Sequence, residues 1–206
     1  MKLRALILWF GSALVAGADS YVRSPEVALL PYGPVTKEDI ATVKAGIQKL
    51  LPLTVVVLWE NSLPRAAYHK PRDRYKADLL LEALEKRKPD RFVKIIGLTA
   101  RDISVTNEEG IDWGIFGLGQ LGGDACVVST FRLRAGDVDE ETFRARLVKV
   151  ANHELGHTFG LNHCRVKGCL MQDARGKIAT VDGESGKPCA GCTARLRVLR
   201  NDHVRF

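Results

Sequence analysis

Residues 152–164 read NHELGHTFGLNHC, and the rest of the chain is best interpreted outward from this stretch. His153 and His157 are four positions apart, so a helix would place both imidazoles on one face, one turn apart. Gly160 lets the chain leave that helix through a backbone conformation that other residues adopt only at a cost. The turn would then return His163 to the same point. The spacing therefore predicts three imidazoles around one metal ion.

Three protein ligands leave a fourth coordination position for water, which distinguishes catalytic zinc from structural zinc. Glu154 would project close to the same helix face, where it can activate a zinc-bound water without being a ligand. The alternative is an ordinary helix with two histidines and a salt-bridged glutamate. The added Gly160 and His163 at set intervals argue against that alternative. We interpret Glu154 as catalytic and His153, His157 and His163 as ligands of catalytic zinc.

Four cysteines follow in two closely spaced pairs, Cys164 with Cys169 and Cys189 with Cys192. Such pairs, separated by a loop, are typical of a tetrahedral four-thiolate zinc site. Two disulfides are the alternative, because an exported protein meets oxidising conditions. We predict a structural zinc at these cysteines, and hence two Zn²⁺ ions per chain. Since Cys164 directly follows His163, a metal on Cys164 would also brace the third histidine.

Strand and helix patterns alternate along the chain upstream of this motif. Apolar runs predict strands at 27–30, 53–59, 92–98 and 126–133, and apolar periodicity predicts helices from Thr36, from Ala77 and, carrying the histidines, from 139–141. The glycine-rich segment 112–121 is predicted as an edge strand or a bulged segment, and 61–76 and 172–188 as polar loops. A short basic helix ends the chain. The alternation predicts an α/β domain with a mostly parallel sheet and packed helices.

The first residues differ in character from the rest. Lys2 and Arg4 precede an uncharged, mostly apolar run that ends in Ala16-Gly17-Ala18, a pattern typical of a cleaved secretory signal. A buried N-terminal strand or helix is the alternative. We predict a signal peptide at 1–18 and one domain over 19–206, with a cysteine-rich zinc subregion at 164–192. Cleavage would place the protein outside the cell or in the periplasm without a membrane span; an uncleaved leader would indicate the cytoplasm.

Chain length and net charge limit the possible folds and binding partners. The chain has 206 residues, of which 46% are hydrophobic, enough apolar material for one well-formed core. Its formal charge is +7, but acids are interleaved with the basic residues, so no nucleic-acid partner is expected. We expect a monomer.

The motif HExxHxxGxxH at 153–163 resembles the metzincin signature, and Met171 stands where a methionine turn follows it. The motif C-x4-C-x-M-x17-C-x2-C at 164–192 resembles the archaemetzincins in every interval, and the likeness extends more loosely upstream to about residue 93. This resemblance implies a compact zinc-dependent peptidase with a metzincin-like α/β fold: a mixed, mostly parallel twisted sheet, a backing helix, an active-site helix and a zinc-bound, cysteine-rich C-terminal part. It also implies that the three histidines bind catalytic zinc, that Glu154 is the acid/base and that the four cysteines bind a second zinc.

The expected reaction is peptide-bond hydrolysis, in which Glu154 takes a proton from zinc-bound water and passes it to the leaving amine. The segment 113–121 is a candidate for aligning an extended peptide substrate. One alternative function is a non-enzymatic zinc-binding module whose basic surface binds nucleic acid or protein. Another is a latent enzyme whose site is closed by residues 172–188.

Overall fold

The computed structural model describes residues 24–203, with side chains as far as residue 197. The predicted signal peptide at 1–18 lies outside the described residues. Within the described range, no helix combines the length and the apolar character that a membrane crossing requires.

Two sheets and five α-helices make up the described chain. The strands are β1 (Glu26–Tyr32), β2 (Thr54–Val57), β3 (Tyr68–His69), β4 (Arg74–Lys76), β5 (Lys94–Thr99), β6 (Ile103–Thr106), β7 (Asp112–Ile115), β8 (Gly117–Gly119) and β9 (Ala125–Ser129). The helices are α1 (Lys37–Leu50), α2 (Ala77–Arg87), α3 (Glu140–Thr158), α4 (Ile178–Gly183) and α5 (Ala190–His203).

The main sheet has the strand order β2-β1-β5-β9-β8. The first four strands run parallel, and β8 pairs antiparallel with β9 at the edge. This arrangement is the mixed, mostly parallel sheet that the sequence predicts. The second sheet, β3-β4-β6-β7, was not predicted; it contains two antiparallel pairs and one parallel pair.

Successive residues of β1 face opposite sides of the main sheet, as the two-residue period of a strand requires. Val27 and Leu29 belong to the core that contains the apolar residues of α1 and α3, whereas Ala28 and Leu30 belong to the core that contains those of α2. Both faces of the sheet are therefore covered, which explains why this strand is apolar throughout. The helix α3 contacts β8 and β9, so the histidine motif lies at the β8 edge of the sheet.

Side-chain caps set the starts of α1 and α3. The Thr36 hydroxyl accepts a hydrogen bond from the backbone N–H of Asp39, and the Asp139 carboxylate accepts one from that of Thr142. Each satisfies a backbone donor that has no partner inside its helix. The predicted starts of both helices are thus confirmed.

The strand β1 continues through Pro31 to Tyr32, although the sequence predicts that it stops before the proline. The Pro31 carbonyl accepts a hydrogen bond from the backbone N–H of Asn61, beyond the last residue of β2. The N–H that proline lacks would point to the same side, where regular pairing with β2 has already ended. The missing donor therefore does not interrupt the sheet.

Two segments predicted as loops contain regular structure. Residues 61–76 include β3 and β4, and residues 172–188 include α4. These elements have two to six residues, and tertiary contacts hold them: β4 pairs with β6, and Arg146 of α3 forms an ion pair with Asp182 of α4. Their own sequences are too short to show a period, which is why the prediction was wrong there. The strand β9 also ends at Ser129, before the predicted limit at 133.

Candidate active site and metal centres

The last two turns of α3 carry His153 and His157, and backbone carbonyls fix the orientation of both rings. The Nδ1 atom of His153 lies 2.7 Å from the carbonyl oxygen of Leu170, and that of His157 lies 2.7 Å from that of Leu161. A carbonyl oxygen only accepts hydrogen bonds, so each Nδ1 carries the proton and each Nε2 presents a lone pair. This is the tautomer that a metal-binding imidazole with a carbonyl partner adopts.

The two Nε2 atoms lie 3.1 Å apart. Since both carry lone pairs, this approach is unfavourable unless a cation lies between them, and the donor set therefore fits a metal ion. His163 provides the third donor, and the ligand atoms of the three rings all lie within 4.8 Å of one another. Burial lowers the pKa of His153 to about 4 and also lowers that of His157, so both rings stay in the neutral form that binds metals.

The turn after α3 brings His163 back to the helix. Gly160 has φ 84°, its N–H donates to the carbonyl of His157, and the N–H of Leu161 donates to that of Gly156. These two bonds form a Schellman motif, in which glycine adopts the left-handed conformation without the steric cost of a side chain. The same turn places the Leu161 carbonyl against His157. The predicted role of Gly160 is thereby confirmed.

His163 is the most open of the three imidazoles, with 51% of its side chain exposed. Its Nδ1 atom lies 3.9 Å from a carboxylate oxygen of Asp173. This distance is too long for a hydrogen bond, so Asp173 acts on the ring through its negative charge only. The sequence reasoning did not include Asp173, because its distance from His163 along the chain gives no sign that the two meet.

Glu154 is buried, with 8% of the residue exposed, and it lies between α3 and β8. A Cβ atom at Gly117 would lie 2.6 Å from Glu154 Cγ, and one at Gly119 would lie 2.3 Å from the Glu154 carbonyl oxygen. Only glycine therefore fits at these two positions of β8. Burial raises the pKa of Glu154 to about 8, and a backbone hydrogen bond from Gly119 opposes this effect.

A cavity of about 450 Å³ opens beside the imidazoles. One wall is formed by β8 and the residues around it, another by α3, and a third by the chain after Met171. Glu154 and the three histidines line it together with 172–176, Val181 and Glu184. The segment 172–188 thus forms a wall of the cavity and does not fill it, contrary to the latent-enzyme alternative.

The four cysteines predicted as metal ligands also meet. The Sγ atoms of Cys164 and Cys189 are 3.8 Å apart, as are those of Cys169 and Cys192, and all four lie within 4.8 Å of one another. These distances are far beyond the roughly 2.05 Å of a disulfide bond and leave space for one ion among the thiols. The backbone N–H of Cys189 donates to the Cys169 sulfur, as suits a thiolate. The fifth cysteine, Cys126, is buried in β9.

Three consecutive residues connect the two clusters. Cys169 belongs to the thiol cluster, the Leu170 carbonyl accepts the hydrogen bond from His153, and Met171 lies beneath α3. A Cβ atom at Gly156 would lie 2.7 Å from the Met171 sulfur, so the helix and the methionine are in close contact. The segment 169–171 therefore holds one side of each cluster.

Comparison with known proteins identifies the family. A model described as peptidase family M54 matches residues 35–198. The chain belongs to peptidase family M54. The archaemetzincin of Methanopyrus kandleri is 38% identical over 135 residues, which cover 66% of this chain and 73% of that protein. The archaemetzincin of Haloquadratum walsbyi is 28% identical over 177 residues, covering 82% of this chain and 98% of that protein.

Solved structures of M54 relatives share the fold. The crystal structure of the Methanopyrus kandleri archaemetzincin matches with a TM-score of 0.76 and 30% identity, covering 86% of this chain and 96% of that chain. The archaemetzincin of Archaeoglobus fulgidus, crystallised with malonate, matches with a TM-score of 0.70 and 28% identity, covering 82% of this chain and 99% of that chain. The resemblance to archaemetzincins and the predicted fold class are both confirmed.

As an M54 peptidase, the chain is a zinc-dependent metallopeptidase that hydrolyses peptide bonds in peptides or proteins. Family membership disfavours the non-enzymatic zinc-binding module as an alternative. The histidine and cysteine clusters described above are candidate sites for zinc within the part of the chain that the structure describes.

Proposed function

We propose that His153, His157 and His163 hold the catalytic zinc and that Glu154 is the general acid/base. The observation that supports this most directly is the pair of Nε2 atoms 3.1 Å apart, each facing the other with a lone pair. The buried carboxylate of Glu154 lines the same cavity. A helix with ordinary surface histidines would have no reason to fix both rings through backbone carbonyls.

Zinc bound by the three imidazoles would supply a Lewis acid that lowers the pKa of a water molecule to about 7 and polarises the substrate carbonyl. Glu154 accepts a proton at its carboxylate and later donates it to the leaving amine. Its place between α3 and Gly117 restricts the carboxylate to the cavity and away from bulk water. The carbonyls of Leu170 and Leu161 keep the two α3 imidazoles oriented throughout.

The strand β8 is our candidate for aligning the substrate. It is the edge strand of the main sheet, and residues 116–119 line the cavity. An extended peptide could add to this edge through backbone hydrogen bonds, which fix its position without reading its side chains. The lack of side chains at Gly117 and Gly119 lets β8 approach Glu154 closely. A substrate peptide paired with this edge would therefore have its backbone near the proposed acid/base.

We further propose that the four cysteines hold a second zinc, so that the chain binds two ions. The convergence of four sulfur atoms from 164–169 and from the start of α5 supports this arrangement. A four-thiolate site has no vacant position, as is typical of a structural metal. Its role would be to fix the chain that follows His163.

The test of this assignment is a peptide-library digest with Glu154→Gln beside the parent chain. We expect hydrolysis to fall by about 10²- to 10⁴-fold, the range that general acid–base catalysis contributes. Zinc content should stay at two ions, because Glu154 is not a proposed ligand. Glu141→Gln, an exposed position in the first turn of α3, is the matched control and should cleave as the parent does. Equal cleavage by Glu154→Gln and the parent, with zinc retained, would contradict the assignment.

We also propose that the leader is removed after Ala18 and that the mature protein is exported. The charged start, the apolar run and the small residues at 16–18 support this proposal. Mass spectrometry of the mature protein should give Asp19 as the first residue. A mature chain that begins at Met1 would indicate that the leader is retained.

A further inference from the structure

The cavity contains a second buried carboxylate, which the proposed catalytic chemistry does not use. Glu184 directly follows α4 and lines the cavity together with Glu154, yet only 7% of the residue is exposed. Burying an ionised carboxylate is costly unless a partner compensates its charge. A buried acid in the wall of a substrate cavity therefore calls for an explanation.

None of the basic side chains that the structure describes pairs with the Glu184 carboxylate. Lys149 is near enough to lower the pKa of Glu184, but its ammonium group donates to the backbone carbonyls of Val181 and Asp182, at 2.8 and 3.1 Å. Asp182, two positions away, shows the contrast: its carboxylate receives two hydrogen bonds from Arg146, at 2.7 and 2.8 Å. Among the described residues, the Glu184 carboxylate has no hydrogen bond and no ion pair within 4.0 Å.

The local fold does not require the charge of Glu184 either. Its backbone N–H donates to the carbonyl of Thr180 and closes α4, a bond that any residue other than proline could make. Burial raises the pKa of the Glu184 carboxyl to about 7, because removal from water disfavours the ionised form. A cation bound from outside would reverse that effect.

The cavity around Glu184 combines apolar walls with negative charge. Val150 and Val181 are buried residues that line it. Its charged lining residues are three acids and one arginine, Arg175, which lies 3.7 Å from Asp173. The Zn²⁺ proposed at the imidazoles would offset the net charge of these residues, so the attraction for a cationic side chain has to come from Glu184 itself. Apolar walls with one unpaired carboxylate suit a side chain that has an aliphatic stem and a cationic head.

We propose that Glu184 selects substrates with an arginine or lysine side chain next to the scissile bond, by pairing with that side chain inside the cavity. The inference rests on the proposed function of this cavity as the substrate site. It names the substrate class that the family assignment leaves open: peptides cut beside a basic residue.

The test uses peptide pairs that differ in one side chain, which is arginine in one peptide and its neutral isostere citrulline in the other. One pair carries this residue on the N-terminal side of the cleaved bond, and a second pair carries it on the C-terminal side. For the parent, we expect kcat/KM to be about 10- to 100-fold higher for the arginine peptide, the range for a hydrogen bond to a charged group. In Glu184→Gln, the ratio should fall to about one. A parent without preference, or an unchanged ratio in Glu184→Gln, would overturn the proposal.

Two further variants keep the test decisive. Glu82→Gln changes an exposed acid on α2 and should keep the full preference. Glu184→Asp retains the charge but shortens the side chain, so it should keep a reduced preference even if Glu184→Gln does not fold. Loss of all preference in a folded Glu184→Asp whose zinc content matches the parent would count against the ion pair.

A binding measurement separates this inference from the catalytic assignment. Calorimetry with acetyl-arginine amide and acetyl-citrulline amide on the zinc-loaded chain needs no turnover. Tighter binding of the arginine probe by the parent, lost in Glu184→Gln, would support the role of Glu184 even if no peptide is cleaved. Efficient cleavage of both peptides with equal binding of both probes would leave the catalytic assignment intact and refute the role of Glu184.

Discussion

The imidazole cluster and the thiol cluster are alike in size but differ in their surroundings. Each brings its ligand atoms within 4.8 Å of one another. The imidazoles line a cavity of about 450 Å³ together with a buried acid, whereas the described lining of that cavity includes none of the four cysteines. Backbone carbonyls orient two of the imidazoles, while the thiols converge from two chain segments.

This difference shows that ligand spacing alone does not determine the function of a metal site. Three donors beside a cavity leave room for water and substrate, and four donors without such a space hold the chain together. The segment 169–171 belongs to both arrangements, so the two sites are expected to differ in function but not to be independent.

Removing one imidazole should give the largest effect on hydrolysis. In His157→Ala, we expect the catalytic zinc to be lost and hydrolysis to fall by about 10³-fold or more, since a metal stabilises the transition state by several kcal/mol. The thiol zinc should remain, so metal analysis should count one ion per chain. His69→Ala, which lies outside both clusters, is the control. Loss of both ions in His157→Ala would mean that the sites are not as distinct as proposed.

Disturbing the surroundings of the imidazoles, without touching a ligand, should have the next largest effect. In Gly117→Ala, the new Cβ would lie 2.6 Å from Glu154 Cγ and 2.9 Å from the Val127 carbonyl oxygen, so the proposed acid/base has to move. A displacement of about 1 Å can cost about 10²-fold in rate, and we expect a loss of that order with two zinc ions retained.

The matched control for this prediction is Gly183→Ala at the end of α4, assayed on a peptide without basic residues, because an added Cβ there meets no atom within 4 Å. Steady-state kinetics and metal analysis on both variants provide the readout. Parent-like kinetics in Gly117→Ala would show that the close approach of β8 does not position Glu154.

Disrupting the thiol cluster should reduce hydrolysis less, but it should also weaken zinc binding at the imidazole cluster. In Cys169→Ser, we expect loss of the structural zinc and an affinity for catalytic zinc that is weaker by at least about tenfold, as is typical when the support of a metal ligand is lost. The physical route is the hydrogen bond from His153 to the Leu170 carbonyl. Competition with a chelator would measure both affinities.

Cys126→Ala removes the one cysteine outside the thiol cluster and serves as the control. Catalytic zinc bound with the parent's affinity in Cys169→Ser would refute the coupling between the two sites.

The success of sequence-based prediction depended on how local each feature is. The helix α3, its cap at Asp139 and the turn at Gly160 follow from short-range rules, and the structure has all three. The short elements β3, β4 and α4 were predicted as loops, because pairing and ion pairs with distant residues hold them. The strand β6 was also missed, although the alternation in Ile103-Ser-Val-Thr was a signal for it.

The candidate site shows the same difference between features set by local sequence and features set by distant contacts. The candidate ligand sets could be predicted because they follow from histidine and cysteine spacing. The close packing of glycines on Glu154 could be predicted only as a glycine-rich edge strand. Asp173 and Glu184 carried no signal, since an acid in a polar segment resembles any solvated residue. Their importance arises from folding, which places one beside His163 and buries the other in the cavity wall.

By itself, the sequence determined which groups can bind metal, which carboxylate stands beside them and where the supporting helix begins and ends. Those properties depend on residue type and on spacing within a few turns of chain. Only the tertiary structure decided that one cluster faces a cavity, that the segment 169–171 contacts both clusters and that Glu184 is buried away from every described basic side chain that could pair with it. Exposure, burial and charge pairing depend on contacts between segments far apart in the chain, and local patterns do not specify those contacts.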